Sequence, residues 1–122
     1  MAGSSASLHE NEATLKPATV DRHRAVVSIM EELEAVDWYD QRYDAAGDDE
    51  LKKILAHNRD EEKEHAAMML EWLRRHDPKL DEHLRTYLFT NKSVLEIEAA
   101  AEGKDAGESS EDGSLRIGSL RS

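Results

Sequence analysis

A glutamate and a histidine lie three positions apart in a highly charged stretch of the sequence, as Glu62 and His65. On an α-helix this spacing places the two side chains on one face, one turn apart. Earlier in the chain, Glu32 lies between Ile29 and Leu33, at a position where an amphipathic helix normally carries an apolar residue. Helical bundles that bind two metal ions use a glutamate from each of two helices and a Glu-x-x-His pair from each of two others. The chain therefore supplies half of the ligands of a di-metal site.

The cost of burying Glu32 and Glu62 also favours a bound cation. A carboxylate removed from water without a partner costs several kcal/mol, or its pKa rises until it is neutral. A cation shared with His65 removes that cost. Oxygen and imidazole ligands without thiolate suit iron or manganese, and zinc less selectively. The residues leave one alternative open, in which Glu62 pairs with Arg59 or Lys63 and His65 is an ordinary helix histidine.

Composition excludes several classes of partner and site. The chain has 122 residues and a net charge of -11 at pH 7, which argues against nucleic acid or an anionic membrane surface as the main partner. It has no cysteine, which excludes disulfides, zinc–thiolate sites and iron–sulfur clusters. The N-terminal residues lack the pattern of a secretory signal, and no apolar run is long enough to span a membrane. We therefore expect a soluble, cytoplasmic protein.

Hydrophobic periodicity predicts an all-α domain built on an antiparallel hairpin of two long helices. The first helix should begin near Pro17, with Thr19 as its cap, and end before Gly47, which suits a C-terminal cap. The second should begin at Asp48 or the following aspartate and continue to about Arg75. Apolar residues occupy two sides of the first helix, so that helix needs two partners. We expect one partner to be the second helix and the other to come from another chain.

Four segments follow from the composition: a flexible N-terminal arm (1–15), the helical hairpin domain with a short third helix (16–90), an acidic flexible linker (91–111) and a terminal docking peptide (112–122). The third helix should span residues 79–89, because Asp77 followed by Pro78 is a helix start signal. A weaker turn could begin at Ser93.

The terminal segment carries a doubled Gly-Ser-Leu with apolar side chains at Leu115, Ile117 and Leu120. No core can form from so few apolar residues. On an extended chain they are suited to anchoring in a groove of another protein. The alternative is a chance occurrence of apolar residues in a polar tail.

A two-fold dimer would complete the half-site. An isologous interface doubles every residue and so supplies two copies each of Glu32, Glu62 and His65, on the four helices that a di-metal bundle requires. Tyr39 lies seven residues after Glu32 on the same side of the helix. It could reach the site as a nearby phenol or weak ligand, or it could be an aromatic residue of the interface.

Two further groups of residues could bind cations more weakly. The second apolar side of the first helix includes Glu31, Glu34 and Trp38. In a symmetric assembly these residues could form an acidic passage for incoming cations, and the alternative is solvated charges beside a packed Trp. The outer face of the second helix carries His57, Glu61 and Glu64 at helical spacing. These could hold a divalent ion weakly, or they could simply be solvated.

At these residues the sequence closely resembles the encapsulated ferritins, which are the ferritin-like cargo of encapsulin nanocompartments. The tail resembles their encapsulin-targeting peptide. The matching stretches are residues 26–42, 55–68, 71–75, 83–90, 112–115 and 117–120.

The resemblance implies a protomer that is a helical hairpin with a short C-terminal helix, and a four-helix ferritin-like bundle completed by dimerisation. It implies a ferroxidase site with two iron ions at each dimer interface, which oxidises Fe(II) to Fe(III). The residues of this chain that match the site are Glu32, Glu62 and His65, with Tyr39 nearby.

The resemblance also implies higher assembly. Five dimers would close into a decameric ring, and the residues that would line its central passage are Glu31, Glu34 and Trp38. The protein would bind an encapsulin shell through residues 112–122 and lie inside that nanocompartment, which stores the mineral.

Two other functions are compatible with the residues. The first is a non-catalytic module whose bound ions hold the helices of an assembly together. The second is an acidic helical adaptor that carries a docking tail and binds no metal. Both differ from a ferroxidase in the oxidation of excess Fe(II), which only the enzyme performs.

Overall fold

The computed structural model describes residues 7–108, and within them every regular element is a helix. A 3-10 turn, Glu12–Thr14, precedes four α-helices: α1 Pro17–Ala45, α2 Asp49–Arg75, α3 Pro78–Tyr87 and α4 Val94–Glu108. The expected all-α class is confirmed. No helix of the described residues is long and apolar enough to cross a membrane. The chain divides into two compact units between Leu80 and Asp81.

The start of α1 differs from the sequence prediction. Lys16 is the N-cap residue and Pro17 occupies the first turn, where its missing N–H removes no helical hydrogen bond. Thr19, the predicted cap, lies inside the helix, and its Oγ1 accepts a hydrogen bond from Arg22. The fixed φ of proline therefore sets the start of the helix two residues before the threonine. Within the predicted arm, Asn11 caps the 3-10 turn by accepting from the Ala13 N–H.

The turn between α1 and α2 is held by polar contacts. α1 ends at Ala45, and the Ala46 N–H donates to the Arg42 carbonyl with ordinary negative φ, so the left-handed freedom of a glycine is not used at this cap. The predicted Asp48 cap is confirmed, because its Oδ2 accepts from the Leu51 N–H at 2.9 Å. Lys52 Nζ donates to the Tyr43 carbonyl at 2.6 Å and lies 4.4 Å from the centre of the Tyr43 ring.

Cross-helix contacts show that α1 and α2 run antiparallel. Moving away from the turn, Tyr43 contacts Lys52, Asp40 pairs with Arg59, and Glu32 faces His65, so the numbers fall on α1 as they rise on α2. This is the hairpin that the periodicity predicts.

The core of the hairpin is thin. The buried apolar residues are Ala25 on α1 and Ala66 and Leu73 on α2. Many larger apolar side chains of the two helices are exposed instead, namely Val26, Met30, Leu33, Trp38, Leu51, Ile54 and Met68. Two helices can cover only one stripe of each other, so the remaining apolar surface of the hairpin stays exposed in a single chain.

The start of α3 is confirmed: Pro78 is its first residue, and Asp77 Oδ1 accepts from the Leu80 N–H at 3.0 Å. Its end differs from the prediction, because α3 stops at Tyr87 rather than Phe89. Phe89 has a φ of 62° and is fully exposed, and a residue in the left-handed region cannot continue a right-handed helix. The sequence does not predict this positive φ, because a residue with a bulky side chain such as Phe rarely adopts it.

The second unit also contains a helix where the sequence predicts a linker. α4 covers residues 94–108, which lie inside the predicted flexible segment 91–111. Its first turn closes through a hydrogen bond from the Ile97 N–H to the Ser93 carbonyl. The reason is the stretch from 96 to 102, which apart from Ile97 consists of alanine and glutamate and has high helix propensity despite its charge. The predicted docking peptide, residues 112–122, lies outside the described residues.

Candidate metal centre

Glu32, Glu62 and His65 come together at the contact between α1 and α2. A ligand atom from each of the three residues lies within 4.8 Å of the others. His65 Nδ1 is 3.4 Å from Glu62 Oε1 and 3.7 Å from Glu32 Oε1. The three-residue spacing of Glu62 and His65 on α2 aligns their side chains, and antiparallel packing brings Glu32 of α1 opposite them. In residues 7–108 this is the one group of three or more potential His, Asp or Glu ligands.

The group lies at the edge of the hairpin rather than inside it. The side chains of Glu32 and Glu62 are 26% and 25% exposed, whereas that of His65 is 46% exposed. The carboxylates are therefore partly withdrawn from water while the imidazole remains accessible on one side. The neighbouring glutamates Glu31 and Glu61 are both more exposed than the carboxylates of the group.

The carboxyl group of Glu32 is perturbed by its neighbours. The pKa of Glu32 is raised, first by a hydrogen bond with Glu62, then by burial and by the charge of Glu62, while His65 opposes the shift. Two adjacent carboxylates repel, and a proton held between them relieves the repulsion. A divalent cation in the same place would relieve it more completely, because it neutralises both charges.

The alternative pairing of Glu62 with a neighbouring base is not the arrangement observed. Arg59 donates to Asp40 at 3.0 Å and to Asp60 at 3.1 Å, and Lys63 lies 3.5 Å from Asp60. The contacts with Asp60 and Asp40 raise the pKa of Arg59. Both bases are therefore engaged with exposed aspartates, Asp40 on α1 and Asp60 on α2, and Glu62 faces Glu32 and His65.

The donor set fits iron or manganese in kind but is incomplete in number. Two carboxylates and one imidazole are the ligands that these metals use, and the chain has no cysteine thiolate. With one ligand atom each, the three side chains do not complete the coordination of one such ion, still less of two.

The other residues predicted for the site are placed differently. Tyr39 is half-buried on α1, and the Arg42 guanidinium lies 5.5 Å from the centre of its ring. Trp38 is exposed, and the same guanidinium lies 5.8 Å from its ring. Glu31 and Glu34 are exposed on α1. Together with Trp38 they form no ligand group within one described chain, and the acidic passage stays a prediction.

The three residues of the predicted outer-face group do not lie together. His57 and Glu64 are exposed on α2, and the structure does not gather them with Glu61 into a ligand group within the described residues. Instead Glu61 Oε1 lies 3.9 Å from His65 Nε2, on the side of the imidazole that faces away from Glu32. Glu61 therefore borders the candidate centre, and a weak outer site stays a prediction.

Arg42 was not singled out from the sequence. Its position three and four residues after Tyr39 and Trp38 is the spacing at which helix side chains meet, so a cation–π contact with both rings could have been predicted. The Glu61–His65 contact has the same signal, a four-residue spacing with the acid on the N-terminal side.

Comparison with known proteins identifies the family. The model of the EncFtn-like family matches residues 7–91, which include all of α1, α2 and α3 and the three residues of the candidate centre. The chain belongs to the EncFtn-like family. This EncFtn-like chain is 64% identical to an "Encapsulated ferritin-like protein" of Rhodospirillum rubrum, over 99% of this chain and 92% of that protein.

Two further relatives are more distant. A "Ferritin-like protein" of Thermotoga maritima is 55% identical, over 78% of this chain and 83% of its own. The "Encapsulin nanocompartment cargo protein EncC" of Myxococcus xanthus is 39% identical over 48% of this chain and 45% of its own. Among solved structures, a crystal structure of a Nitrosomonas europaea protein superposes with a TM-score of 0.70 at 60% identity. It covers 72% of this chain and 97% of that chain, so the similarity extends to the fold.

Proposed function

We propose that this EncFtn-like protein is a ferroxidase that oxidises Fe(II) to Fe(III) at a two-iron site shared between two copies of the chain. The observation that carries the proposal is the convergence of two partly buried carboxylates and an imidazole nitrogen at the contact of α1 and α2. Relatives named ferritin-like or encapsulated ferritin-like support the choice of iron over manganese.

A second copy supplies what one chain lacks. Two-fold symmetry would bring two copies of Glu32, Glu62 and His65 together, giving four carboxylates and two imidazoles for two ions. Met68, one turn beyond His65, is exposed in the single chain, as is Ile54 on the same side of α2. Burying such side chains contributes roughly 1.5–3 kcal/mol each, so the interface that completes the site also covers an apolar surface.

The residues of the site perform three tasks in this reaction. The carboxylates of Glu32 and Glu62 bind the substrate Fe(II) and neutralise its charge, which increases on oxidation. Each Fe(II) loses one electron, and two such electrons reduce dioxygen to peroxide, or peroxide to water, with two protons taken up in either case. The imidazole of His65 completes the donor set, and in this proposal Tyr39 supplies a phenol that approaches the ions in the assembled dimer.

The composition of the site can be tested without turnover. The protein is purified anaerobically, freed of metal, and its mass and iron content are measured with and without added Fe(II). The proposal predicts dimers that bind two iron ions, and loss of that binding in Glu32→Gln. Iron bound by monomers, or equal iron content in the variant, would contradict it.

A non-catalytic role in metal-dependent assembly is the second candidate. The observation that favours it is the thin core, in which only Ala25, Ala66 and Leu73 are buried among the described residues. A hairpin with so little buried surface depends strongly on partners or ligands for stability. Under this candidate iron would bind with the same stoichiometry, but excess Fe(II) would not be oxidised.

Assembly beyond the dimer belongs to the same proposal. The apolar residues Val26, Met30 and Leu33 form an exposed line on α1, spaced four and three residues apart. This line gives α1 a further surface for another copy, as closure of five dimers into a decameric ring requires. Glu31, Glu34 and Trp38 would then line the passage by which Fe(II) enters. Sedimentation with and without Fe(II) tests this, and a monomer under both conditions would contradict it.

Delivery to a shell is proposed for residues 112–122. The doubled Gly-Ser-Leu is suited to groove binding, and relatives are named as encapsulated or as encapsulin cargo. The protein would then lie inside an encapsulin shell, with ferric iron released there for storage. Deletion of residues 113–122 should abolish co-purification with a co-expressed encapsulin shell protein and leave iron oxidation unchanged. Unchanged co-purification would contradict the targeting role.

A further inference from the structure

The second unit contains an open groove between the end of α3 and one face of α4. Its volume is about 720 Å³ and its surface is mainly apolar, and the residues that line it are Thr86, Thr90, Asn91, Lys92, Glu96, Ile97, Ala100 and Ala101. Ile97, Ala100 and Ala101 have the three- and four-residue spacing that places side chains on one helix face. Because two of these side chains are methyl groups, the face leaves room for larger apolar side chains from elsewhere.

The threonines of the groove do not require a polar ligand. Thr86 Oγ1 donates to the Glu82 carbonyl at 2.9 Å, and Thr90 Oγ1 donates to the Tyr87 carbonyl at 2.7 Å. Both hydroxyls are therefore satisfied by backbone of their own segment. The groove thus suits an apolar occupant. In a two-fold contact a second copy would present the same hollow surface, so it would not fill the groove.

We propose that the groove binds the C-terminal segment of the same chain, through the side chains of Leu115, Ile117 and Leu120. α4 ends at Glu108, and Leu115 follows seven residues later. Ala101 lies seven residues before the same helix end, which is about 10 Å along the helix axis. Seven residues of chain can span up to about 23 Å. The segment is therefore long enough to turn back after α4 and reach the groove.

The charge of the segment also matches the groove. Residues 113–122 contain two arginines and no acid, in a chain with a net charge of -11. Arg116 lies between Leu115 and Ile117, so that binding of these side chains brings its guanidinium toward Glu96, an exposed acid of the groove. The apolar side chains supply the contact surface, and the ion pair favours this segment over an acidic one.

This contact goes beyond the proposed function and does not depend on iron oxidation. It has a consequence for delivery, because the same three apolar side chains cannot occupy the groove and an encapsulin shell at once. The shell must displace the segment from the groove, and this consequence alone rests on the delivery proposal.

The contact can be measured in the whole 122-residue chain, because its sequence contains no cysteine. Ser122→Cys provides a single attachment point for a nitroxide spin label, two residues beyond Leu120. The protein carries ¹³C at its isoleucine δ1 methyl groups, and Ile97→Val assigns the signal from the groove. Comparison of signal intensities before and after reduction of the nitroxide measures the broadening of Ile97.

Matched variants separate binding in the groove from the proximity of any tethered segment. Ala100→Gln fills the groove, whereas Ala99→Gln places the same side chain at the next position, which is exposed and outside the lining. The double variant Leu115→Ser/Leu120→Ser changes no residue of the groove, so it remains informative if Ala100→Gln disturbs α4. The broadening of Ile97 should be lost to the same extent in Ala100→Gln and in the double variant, and kept in Ala99→Gln. Unchanged broadening in either of the first two would overturn the proposal.

Mixed particles test whether the segment enters the groove of its own chain. ¹³C-labelled chain without a spin label is unfolded in urea and refolded with an excess of spin-labelled chain that carries no ¹³C label. Ile97 should show the same signal whether or not the spin-labelled chain also carries Leu115→Ser/Leu120→Ser. Broadening that depends on those two leucines would assign the groove to a neighbouring copy and contradict a contact within one chain.

Shell binding tests the consequence for delivery separately. Ala100→Gln should associate with disassembled encapsulin shell protein faster than wild type, and Ala99→Gln at the wild-type rate. Equal rates for all three, with the groove contact present, would overturn the competition. No association for any of them would overturn the delivery proposal, whereas the groove contact is decided by the measurements made without shell protein.

Discussion

Oε1 of Glu32 on α1 lies 3.7 Å from Nδ1 of His65 on α2, so the two long helices meet at polar ligand atoms in a position where a hairpin would normally pack apolar side chains. The packing that remains is thin, since Ala25, Ala66 and Leu73 are its buried apolar residues in the described chain. The hairpin therefore has a candidate cation site where a larger apolar core would otherwise lie, and its stability should depend on what binds there.

Neutralising Glu32 should have opposite effects with and without metal. A raised pKa means that the folded state favours the protonated form, so this contribution to stability is present at low pH and lost as pH rises through the folded-state pKa. In metal-free protein at neutral pH, Glu32→Gln should thus be at least as stable as wild type in urea unfolding. With iron or cobalt present, wild type should become the more stable protein. A metal-free variant clearly less stable than wild type would contradict the carboxyl repulsion.

Removing Glu62 should return the pKa of Glu32 toward its ordinary value. The hydrogen bond with Glu62 is the first cause of the raised value and its charge is a further one, whereas His65 acts in the other direction. A carboxyl ¹³C titration of metal-free protein compares wild type with Glu62→Ala. A Glu32 titration that does not move down would show that burial alone raises its pKa.

The Arg59–Asp40 ion pair should couple α1 to α2 only weakly. Its donor is 20% exposed and its acceptor 65% exposed, at 3.0 Å, and such a partly solvated pair contributes little to stability. A double-mutant cycle of Arg59→Met and Asp40→Asn, measured by urea unfolding, gives the coupling free energy. The Arg24–Asp21 pair within α1 is a matched control that joins no second helix. A coupling free energy much larger than that of the control pair would mean that the pair determines the register of the hairpin.

Acid should destabilise the end of α2 through Glu71. Hydrogen bonds first from Arg74 and then from Arg75 lower the pKa of Glu71 to about 2. A lowered folded-state pKa contributes stability above the ordinary value of 4.5, and that stability is lost as pH falls from there toward about 2. Thermal unfolding of Glu71→Gln across this window should therefore depend less on pH than that of wild type. Identical pH dependence in both proteins would contradict the pairing.

A polar substitution on the side of α2 that carries His65 should weaken self-association. Ile54→Ser removes an exposed apolar side chain from the proposed interface. The control, Lys53→Ser, also introduces a serine, but one position away on the outer side of the helix. Sedimentation velocity at several concentrations should show weaker dimers for Ile54→Ser only. Equal dissociation of both variants would place the interface elsewhere.

The features that could be predicted from sequence are those set by local chemistry and helical spacing. Asp48 and the Asp77–Pro78 pair cap helices through contacts within one turn. The convergence of Glu32 with Glu62 and His65 followed from a three-residue spacing and the expectation of a hairpin. Glu32 could be recognised as a candidate ligand because burying a carboxylate among apolar residues costs free energy unless a cation or a hydrogen-bond donor binds it.

The features that could not be predicted depend on competition between local preferences or on long-range geometry. Thr19 and Pro17 both favour a helix start, and the rigid ring of Pro17 prevails. The acidic composition near residue 100 suggested a linker, but the helix propensity of its alanines outweighs charge repulsion. The positive φ of Phe89 and the pairing of Arg59 with Asp40 cannot be predicted from the sequence, because both depend on how the chain packs.

Oxidation of excess Fe(II) is the most direct test of a shared ferroxidase site. Metal-free protein is mixed with Fe(II) well above the amount of two ions per dimer, in the presence of dioxygen or peroxide, and Fe(III) formation is followed optically. Glu32→Gln and the Lys53→Ser control are measured beside it. The account predicts that wild type and Lys53→Ser continue to oxidise iron far beyond two ions per dimer, and that Glu32→Gln falls to the uncatalysed rate. Oxidation that stops at two ions per dimer in wild type, or that continues unchanged in Glu32→Gln, would contradict it.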